Sequence, residues 1–344
     1  MQHNSKAKSI VAELRKNKKL DVALLKEEDF VTEWISTGCL PLDWAFGGGL
    51  PVGRVTEIYG DNSTGKSLIA AQVIAQAQAD GHIALMCDTE SAVSLPIMKA
   101  VGVNIGELIY SQPDTVDEVF DIFESAIDSK HKQYPDSVLL LVWDSIAATS
   151  VNREMEKGFG DAVMGIHARE ISQAMRKTIH RIAKEKICML FINQTRQKIG
   201  VMYGDKETTF GGKAIGFYSS VRLRLRVVNK LKKGKKIVAI ETKGTVVKNK
   251  VSVPFREVRM PIFFGHGIDD PLATFYWLED NEFVDKGTNK TLVIGNEELK
   301  FTRRGWEKVY NERFDDIADT VMSFDNEDIG AELENAEEKE DAEE

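Results

Sequence analysis

Residues 60–67 combine glycine, lysine and serine at the spacing of a phosphate-binding loop, fitting the pattern G-x-x-x-x-G-K-[ST]. In such a loop the backbone N–H groups surround phosphates, the lysine reaches the outer phosphates and the serine hydroxyl can ligate Mg²⁺. A β-branched segment precedes the loop and an Ala- and Gln-rich segment follows it, which predicts strand, loop and helix. The residues expected around the phosphates are Gly60, Asp61, Asn62, Ser63, Thr64, Gly65, Lys66 and Ser67.

Three further polar residues follow apolar runs that have the composition of buried strands. Asp144 would hold Mg²⁺ beside Ser67, usually through water, or would cap a helix. Glu90 would orient or deprotonate a water, or be a surface carboxylate. Gln194 would, from the residues alone, be a turn-capping amide. Because ligands bind at the carboxyl ends of parallel strands, we expect chemistry to gather where these runs end.

The bulk composition is that of an ordinary globular protein. The chain has 344 residues, of which 42% are hydrophobic and 29% charged. Cys39, Cys87 and Cys188 lie far apart, which argues against a disulfide framework or a zinc site and favours a reducing compartment. An apolar run of about 18 residues, as a membrane span needs, is missing from the sequence. We expect a cytoplasmic protein that does not enter a membrane.

Charge is distributed unevenly along the chain. Residues 325–344 hold eleven acidic residues and one lysine, whereas residues 222–250 hold eleven Lys or Arg and one acid. This asymmetry is typical of a protein that binds a polyanion, although a basic segment can also be a solvated strand edge that opposes aggregation. The acidic tail either regulates access to the basic surface or increases solubility, and its composition predicts disorder.

The alternation of apolar runs and helical patterns predicts an α/β fold with a mainly parallel twisted sheet flanked by helices. An amphipathic segment precedes this core, either as a packed flank or as an arm that docks on a neighbouring subunit. Two long glycine-bearing loops interrupt the core, and loops of this kind are usually functional or disordered. The expected divisions are an N-terminal helical oligomerisation segment (1–32), the core (33–269), its loops (152–165 and 195–213), a small α/β C-terminal module (270–324) and the acidic tail (325–344).

Several motifs together resemble the bacterial-type RecA recombinases, and the similarity extends from about residue 33 to about residue 268. The stretches that carry it are residues 35–38, 60–67, 142–145, 169–177, 191–202, 207–212, 217–223 and 246–250. The divergent N-terminus and shortened C-terminal region suggest a distant, phage-encoded member of that family. The resemblance implies a P-loop RecA-type core that binds ATP and Mg²⁺.

The resemblance also assigns roles around the phosphates. Glu90 would be the catalytic carboxylate and Gln194 would sense the γ-phosphate and couple it to the loop that follows. Lys248 and Lys250 would reach ATP bound by the adjacent subunit, and Phe217 would lie at that subunit interface or else be a core aromatic. Met98 would cover the adenine where the family has an aromatic residue.

The two loops correspond to the family's DNA-binding loops. Arg and Lys suit phosphate contacts, small residues allow backbone N–H donation, and Met or Ile can wedge between bases. Lys213 is an added cation relative to the family. The positions expected to contact DNA are Met164, Gly165, Arg169, Arg176, Arg196, Lys198, Ile199, Gly200, Gly211, Gly212 and Lys213.

Together these features predict a DNA-dependent ATPase that forms helical filaments on single-stranded DNA and pairs it with homologous double-stranded DNA. Two alternatives remain open. One is another RecA-fold motor, either a hexameric helicase or a KaiC-like ATPase. The other is a coat on single-stranded DNA that uses ATP for assembly only and does not exchange strands.

Overall fold

The computed structural model describes residues 3–17, 23–24, 30–151, 163–197, 207–285, 287, 289–295 and 297–324. The chain divides into two compact units, Met1–Glu33 and Trp34–Glu344. In the first unit helix α1 spans His3–Arg15, so the predicted N-terminal helix is present. The second unit contains the α/β core.

The strands of the second unit form one large sheet and two short two-stranded sheets, β1–β2 and β13–β14. In chain order they are β1 (Trp34–Ile35), β2 (Leu50–Pro51), β3 (Val55–Gly60), β4 (Ile83–Asp88), β5 (Ile109–Ser111), β6 (Leu139–Asp144), β7 (Ile187–Gln197), β8 (Glu207–Thr209), β9 (Val221–Lys233), β10 (Lys236–Asn249), β11 (Glu257–Phe263), β12 (Gly267–Ile268), β13 (Asn289–Ile294) and β14 (Glu297–Thr302).

Helices connect these strands. They are α2 (Leu40–Phe46), α3 (Lys66–Ala79), α4 (Leu95–Ala100), α5 (Val116–Gln133), α6 (Val163–Lys184), α7 (Gly212–Tyr218), α8 (Asp270–Asp280), α9 (Trp306–Glu312) and α10 (Phe314–Ser323). Short 3-10 turns occupy Ile146–Ala148 and Arg303–Gly305.

The large sheet has the order β12-β11-β10-β9-β3-β7-β6-β4-β5. The six strands from β9 to β5 are parallel, and β10, β11 and β12 extend the sheet with antiparallel pairing. The predicted mainly parallel α/β core is therefore confirmed.

Burial explains why β4, β6 and β7 read as continuous apolar runs. Every residue of β3 and β6 is buried, because helices cover both faces of the sheet. One face packs in a cluster with α3, and the other packs with α5 and α6 around Trp143. The strand register then aligns the functional ends, with Gly60 opposite Gln194 and Asp88 opposite Asp144.

Residues beyond 269 continue the core of the second unit. Trp277 of α8 packs edge-on against Trp44 of α2, with ring centroids 5.2 Å apart, and also contacts Phe324 at 5.1 Å. The hairpin β13–β14 and helices α9 and α10 complete this region. The expected small α/β arrangement is present, and its aromatic side chains join the hydrophobic cluster that underlies the sheet.

Two further features bear on the sequence analysis: the state of the cysteines and the length and hydropathy of the helices. Cys39, Cys87 and Cys188 are all buried free thiols. Among the residues that the structure describes, none of the helices is both long and apolar enough to cross a membrane.

Candidate active site and nucleic-acid interface

The loop at residues 60–67 joins β3 to α3, as the sequence predicts. Gly65 has φ = +96°, and a Cβ there would lie 2.4 Å from Ile262 Cδ1. A Cβ on Gly60 would lie 2.5 Å from the carbonyl oxygen of Leu225. Gly65 is therefore required by its left-handed backbone conformation, and Gly60 by the close approach of the Leu225 carbonyl on the neighbouring strand β9.

Lys66 lies at the first turn of α3 with its ammonium directed into the loop. Its Nζ donates to the carbonyl oxygens of Gly60 (3.1 Å) and Asp61 (2.7 Å). Burial lowers the pKa of Lys66, and the nearby carboxylates of Asp144, Glu90 and Asp61 oppose that shift. The carboxylates thus favour a charged lysine at the position where phosphate oxygens would bind.

Asp144, at the end of β6, is hydrogen-bonded to the Ser67 hydroxyl. Burial raises the pKa of Asp144 to about 6, and the bond from Ser67 opposes the shift. A hydroxyl and a carboxylate side by side are the oxygen ligands that suit Mg²⁺, which usually takes one or two carboxylates and completes its shell with water and phosphates. The described residues accordingly contain no cluster of three or more His, Cys, Asp or Glu side chains that could hold a metal alone.

Glu90 and Gln194 are in direct contact. Gln194 Nε2 donates to Glu90 Oε1 over 3.0 Å, and the Ser145 hydroxyl donates to the same oxygen. A cavity of about 410 Å³ is lined by Lys66, Ser67, Glu90, Asp144 and Gln194 together with residues of the loop. The structure therefore brings the residues expected at the γ-phosphate to one place.

A smaller cavity of about 100 Å³ adjoins this site along α4. Met98 lines it but is only 4% exposed and belongs to the hydrophobic core, whereas the preceding Ile97 is 37% exposed. Successive residues of a helix face different directions, so Ile97 is the more exposed of the two side chains beside this cavity.

Lys248 of β10 and Phe217 of α7 are in contact. Lys248 Nζ donates to the carbonyl oxygens of Gly216 (2.7 Å) and Phe217 (3.2 Å) on α7. Burial, with help from the charges of Lys250 and Arg222, lowers the pKa of Lys248 to about 8. Phe217 is 70% exposed, so it is not a core aromatic, and Lys250 is exposed as well.

Neither lysine is among the described residues that line the cavity of their own chain's phosphate loop. Phe217 and Lys250 are exposed and Lys248 is half-buried, so the three side chains lie at the protein surface. This arrangement suits the role in an adjacent subunit's site that the sequence suggested.

Part of the expected DNA interface lies around the start of α7. Arg196 at the end of β7 places its guanidinium 3.4 Å from the centroid of the Phe210 ring. A cavity of about 470 Å³ is lined by Arg196, Phe210, Gly211 and Gly212. Gly211 and Gly212 have φ of +75° and +60°, so their backbone conformations favour glycine. Lys213 is exposed next to them.

Helix α6 contributes the other described DNA positions. Arg169 and Arg176 are both exposed and lie seven residues apart, which is two turns, so they share one face. Met164 and Gly165 lie in the first turn of this helix. The remaining positions, Lys198, Ile199 and Gly200, with residues 152–162 of the first loop, lie outside the described residues.

Several residues that connect these sites were not singled out from the sequence. Asn193 Nδ2 donates to the Phe210 carbonyl (3.0 Å) and to the fully buried carboxylate of Glu57 (2.9 Å). Arg222 donates to the other oxygen of Glu57 over 2.6 Å. Thr195 hydrogen-bonds through its hydroxyl to Asp61 of the phosphate loop. An acidic residue within an otherwise apolar strand pattern was the available signal for Glu57.

Comparison with known sequences gives one consistent result. A sequence model of the RecA N-terminal domain matches residues 8–269. Protein RecA of Colwellia psychrerythraea is 44% identical over 255 residues, which cover 74% of this chain and 72% of that protein. Protein RecA of Symbiobacterium thermophilum is 46% identical over 257 residues, which cover 74% of this chain and 69% of that protein. This chain belongs to the RecA family.

Proposed function

We propose that the protein is a DNA-dependent ATPase that forms helical filaments on single-stranded DNA and pairs it with homologous double-stranded DNA in recombination and repair. The observation that carries this proposal is the contact of Glu90 with Gln194 inside the cavity that Lys66, Ser67 and Asp144 also line. This contact joins the residues that would hydrolyse ATP to the start of the segment that leads to the expected DNA-binding positions.

The residues of the cavity divide the chemistry between them. Lys66 would neutralise the outer phosphate oxygens, and the loop N–H groups would hold the remaining phosphates. Ser67 and Asp144 would hold Mg²⁺, which supplies charge neutralisation on ATP when it is bound. Glu90 would orient the attacking water and accept its proton. Ile97, more exposed than Met98, would cover the adenine beside the smaller cavity.

Gln194 would link nucleotide state to DNA binding. Its amide contacts Glu90, and two residues later on the same strand Arg196 lies against Phe210. Asn193, directly before Gln194, holds the Phe210 carbonyl. A γ-phosphate that draws the Gln194 amide away from Glu90 would therefore move both anchors of the second loop.

The DNA surface would be formed by α6 and the residues around α7. Arg169, Arg176, Arg196 and Lys213 would contact phosphates, because exposed cations supply most of the affinity for single strands. Gly211 and Gly212 would offer backbone N–H groups to the same strand. Met164, Gly165, Lys198, Ile199 and Gly200 would complete this surface.

Lys248 and Lys250 would act in the ATP site of the adjacent subunit, with Phe217 packed at the junction. An aromatic ring that is 70% exposed suits a subunit interface better than a solvent-exposed surface. An ATP site that is completed across an interface couples filament assembly to ATP binding.

The segment 1–32 would be the arm that joins consecutive subunits. Strand β5 is an open edge of the sheet, and a cavity of about 1010 Å³ beside it is lined by apolar side chains and the exposed carboxylates of Glu107 and Asp121. Helix α1 carries the exposed cations Lys6 and Lys8, so its charge is complementary. Deletion of residues 1–32 should abolish filaments and leave ATP binding intact; unchanged filaments would contradict this role.

The experiment that tests the function is a strand-pairing assay with ATP, single-stranded DNA and a homologous supercoiled duplex. We expect joint molecules and DNA-stimulated phosphate release with the wild-type protein, and neither with Lys66→Ala. Closed rings with a fixed number of subunits would instead favour the hexameric helicase or KaiC-like alternative. Filaments without hydrolysis or pairing would favour the single-strand coat. Because the proposed activity acts on DNA, we place the protein in the cytoplasm.

A further inference from the structure

The turn that carries Glu90 is held by a buried carboxylate. Asp88, the last residue of β4, is only 2% exposed. Its Oδ1 accepts hydrogen bonds from the backbone N–H of Glu90 (3.2 Å) and of Ala92 (3.4 Å), and its Oδ2 accepts one from the N–H of Val93 (3.1 Å). Asp88 therefore determines the path of the backbone immediately around Glu90.

One side chain from a different strand donates to this carboxylate. The Tyr110 hydroxyl, on edge strand β5, lies 2.8 Å from Asp88 Oδ2. Burial and the neighbouring Asp88 raise the pKa of Tyr110 to about 12, so the phenol is a protonated donor throughout the neutral range. The Tyr110 ring is 43% exposed, which means that its hydroxyl can be removed without opening a cavity in the core.

We propose that Tyr110 is a positioning residue for Glu90, which it holds in place through Asp88. A buried carboxylate needs several donors to remain in one orientation, because each missing hydrogen bond leaves a desolvated oxygen. Without the phenol, Asp88 would rotate toward other donors and loosen its bonds to the N–H groups of the turn. Glu90 would then lose its alignment with the bound phosphate while the phosphate loop itself remained unchanged.

This inference rests on the proposed function of Glu90, and its test uses the full-length protein with single-stranded DNA. We expect Tyr110→Phe to lower kcat for DNA-stimulated ATP hydrolysis by about three- to tenfold, in line with the loss of one hydrogen bond. The KM for ATP, the affinity for DNA and the melting temperature should stay at wild-type values. Thr302→Val is the matched control, because it also removes an exposed hydroxyl, but from strand β14 and from a residue that does not line the phosphate cavity.

A double variant tests whether the effect passes through Asp88. If it does, Tyr110→Phe combined with Asp88→Asn should have the kcat of Asp88→Asn alone, whereas independent roles would multiply the two losses. Unchanged kcat in Tyr110→Phe, multiplied losses in the double variant, or a loss explained by lower melting temperature would each overturn the inference. A wild-type protein without DNA-stimulated hydrolysis would instead refute the proposed function itself.

Discussion

The amide of Gln194 donates to the carboxylate of Glu90 across 3.0 Å, joining the ends of strands β7 and β4, which β6 separates in the sheet. The Ser145 hydroxyl, at the end of β6, donates to the same carboxylate oxygen. Under the proposed function, hydrolysis and DNA coupling would share this contact, because Gln194, which leads to the DNA positions, holds the carboxylate that would activate water.

Removal of the Gln194 amide should separate hydrolysis from DNA binding. We expect Gln194→Ala to bind ATP normally, because Lys66 and Ser67 are untouched. The stimulation of hydrolysis by single-stranded DNA should fall by roughly tenfold or more, the size of a typical coupling between two sites. Phosphate release measured with and without DNA gives this ratio, and wild-type stimulation in the variant would show that Gln194 does not transmit the signal.

Glu90→Gln should bind ATP and DNA but not turn ATP over. A neutral amide cannot accept the proton of the attacking water, so we expect kcat to fall by about 10² to 10⁴. Nucleotide-dependent DNA binding measured in parallel should be retained. Glu298→Gln, an exposed carboxylate of β14, is the matched control. If Glu90→Gln hydrolyses ATP at the wild-type rate, another group is the base.

Assembly should depend on pH through Lys248. Since its pKa is lowered to about 8, the charge that would reach the adjacent ATP is lost as pH rises through that value. ATP-dependent filament formation, followed by light scattering, should weaken from pH 7 to pH 9. Lys248→Arg should remove this dependence, because the guanidinium stays charged.

The titration of Lys248 should weaken assembly but should not weaken the folded chain. A loss of filaments at high pH can therefore be distinguished from unfolding. Above pH 8 the folded chain releases the Lys248 proton while the unfolded chain still binds it, up to its ordinary pKa of 10.5. The contribution of Lys248 to the free energy of unfolding therefore rises with pH in that window. A loss of filaments that also appears in Lys248→Arg would mean that another group titrates.

The acidic residues 325–344 should compete with DNA for the basic segment at residues 222–250. Truncation after Phe324 should tighten binding to duplex DNA at low Mg²⁺ and low salt, where electrostatic competition is strongest. The truncation must keep Phe324, whose ring packs 5.1 Å from Trp277 and 5.5 Å from Phe283. Fluorescence anisotropy with labelled duplex measures the affinity, and equal affinity of the two chains would leave the tail as a solubilising segment only.

The parallel core and its functional edge could be predicted because they follow from local pattern. The apolar runs ending at Asp144 and Gln194 correspond to buried strands whose carboxyl ends meet. The extension of β7 to Gln197 could not be predicted, since Thr195–Gln197 were expected to begin a loop. These residues pair instead with Glu207–Thr209, beyond the reach of local periodicity.

Side-chain contacts between distant residues were also beyond the sequence pattern. The Glu57 carboxylate is buried between Asn193 and Arg222, which are 136 and 165 residues away along the chain. The packing of α4 on the core likewise buries Met98 and leaves Ile97 more exposed. The sequence pattern alone does not reveal which of the two side chains is exposed. Residue types thus indicated the site, and tertiary packing determined which side chains face it.

Under the proposed function, Glu90 of one subunit and Lys248 of the next complete one ATP site. Glu90→Gln and Lys248→Ala should each abolish DNA-stimulated hydrolysis alone. In an equal mixture about a quarter of the interfaces would join an intact Glu90 to an intact Lys248, because a head-to-tail filament pairs the two faces in one order. We predict that the mixture recovers about that fraction of wild-type phosphate release. A mixture no more active than its two components would contradict the shared site.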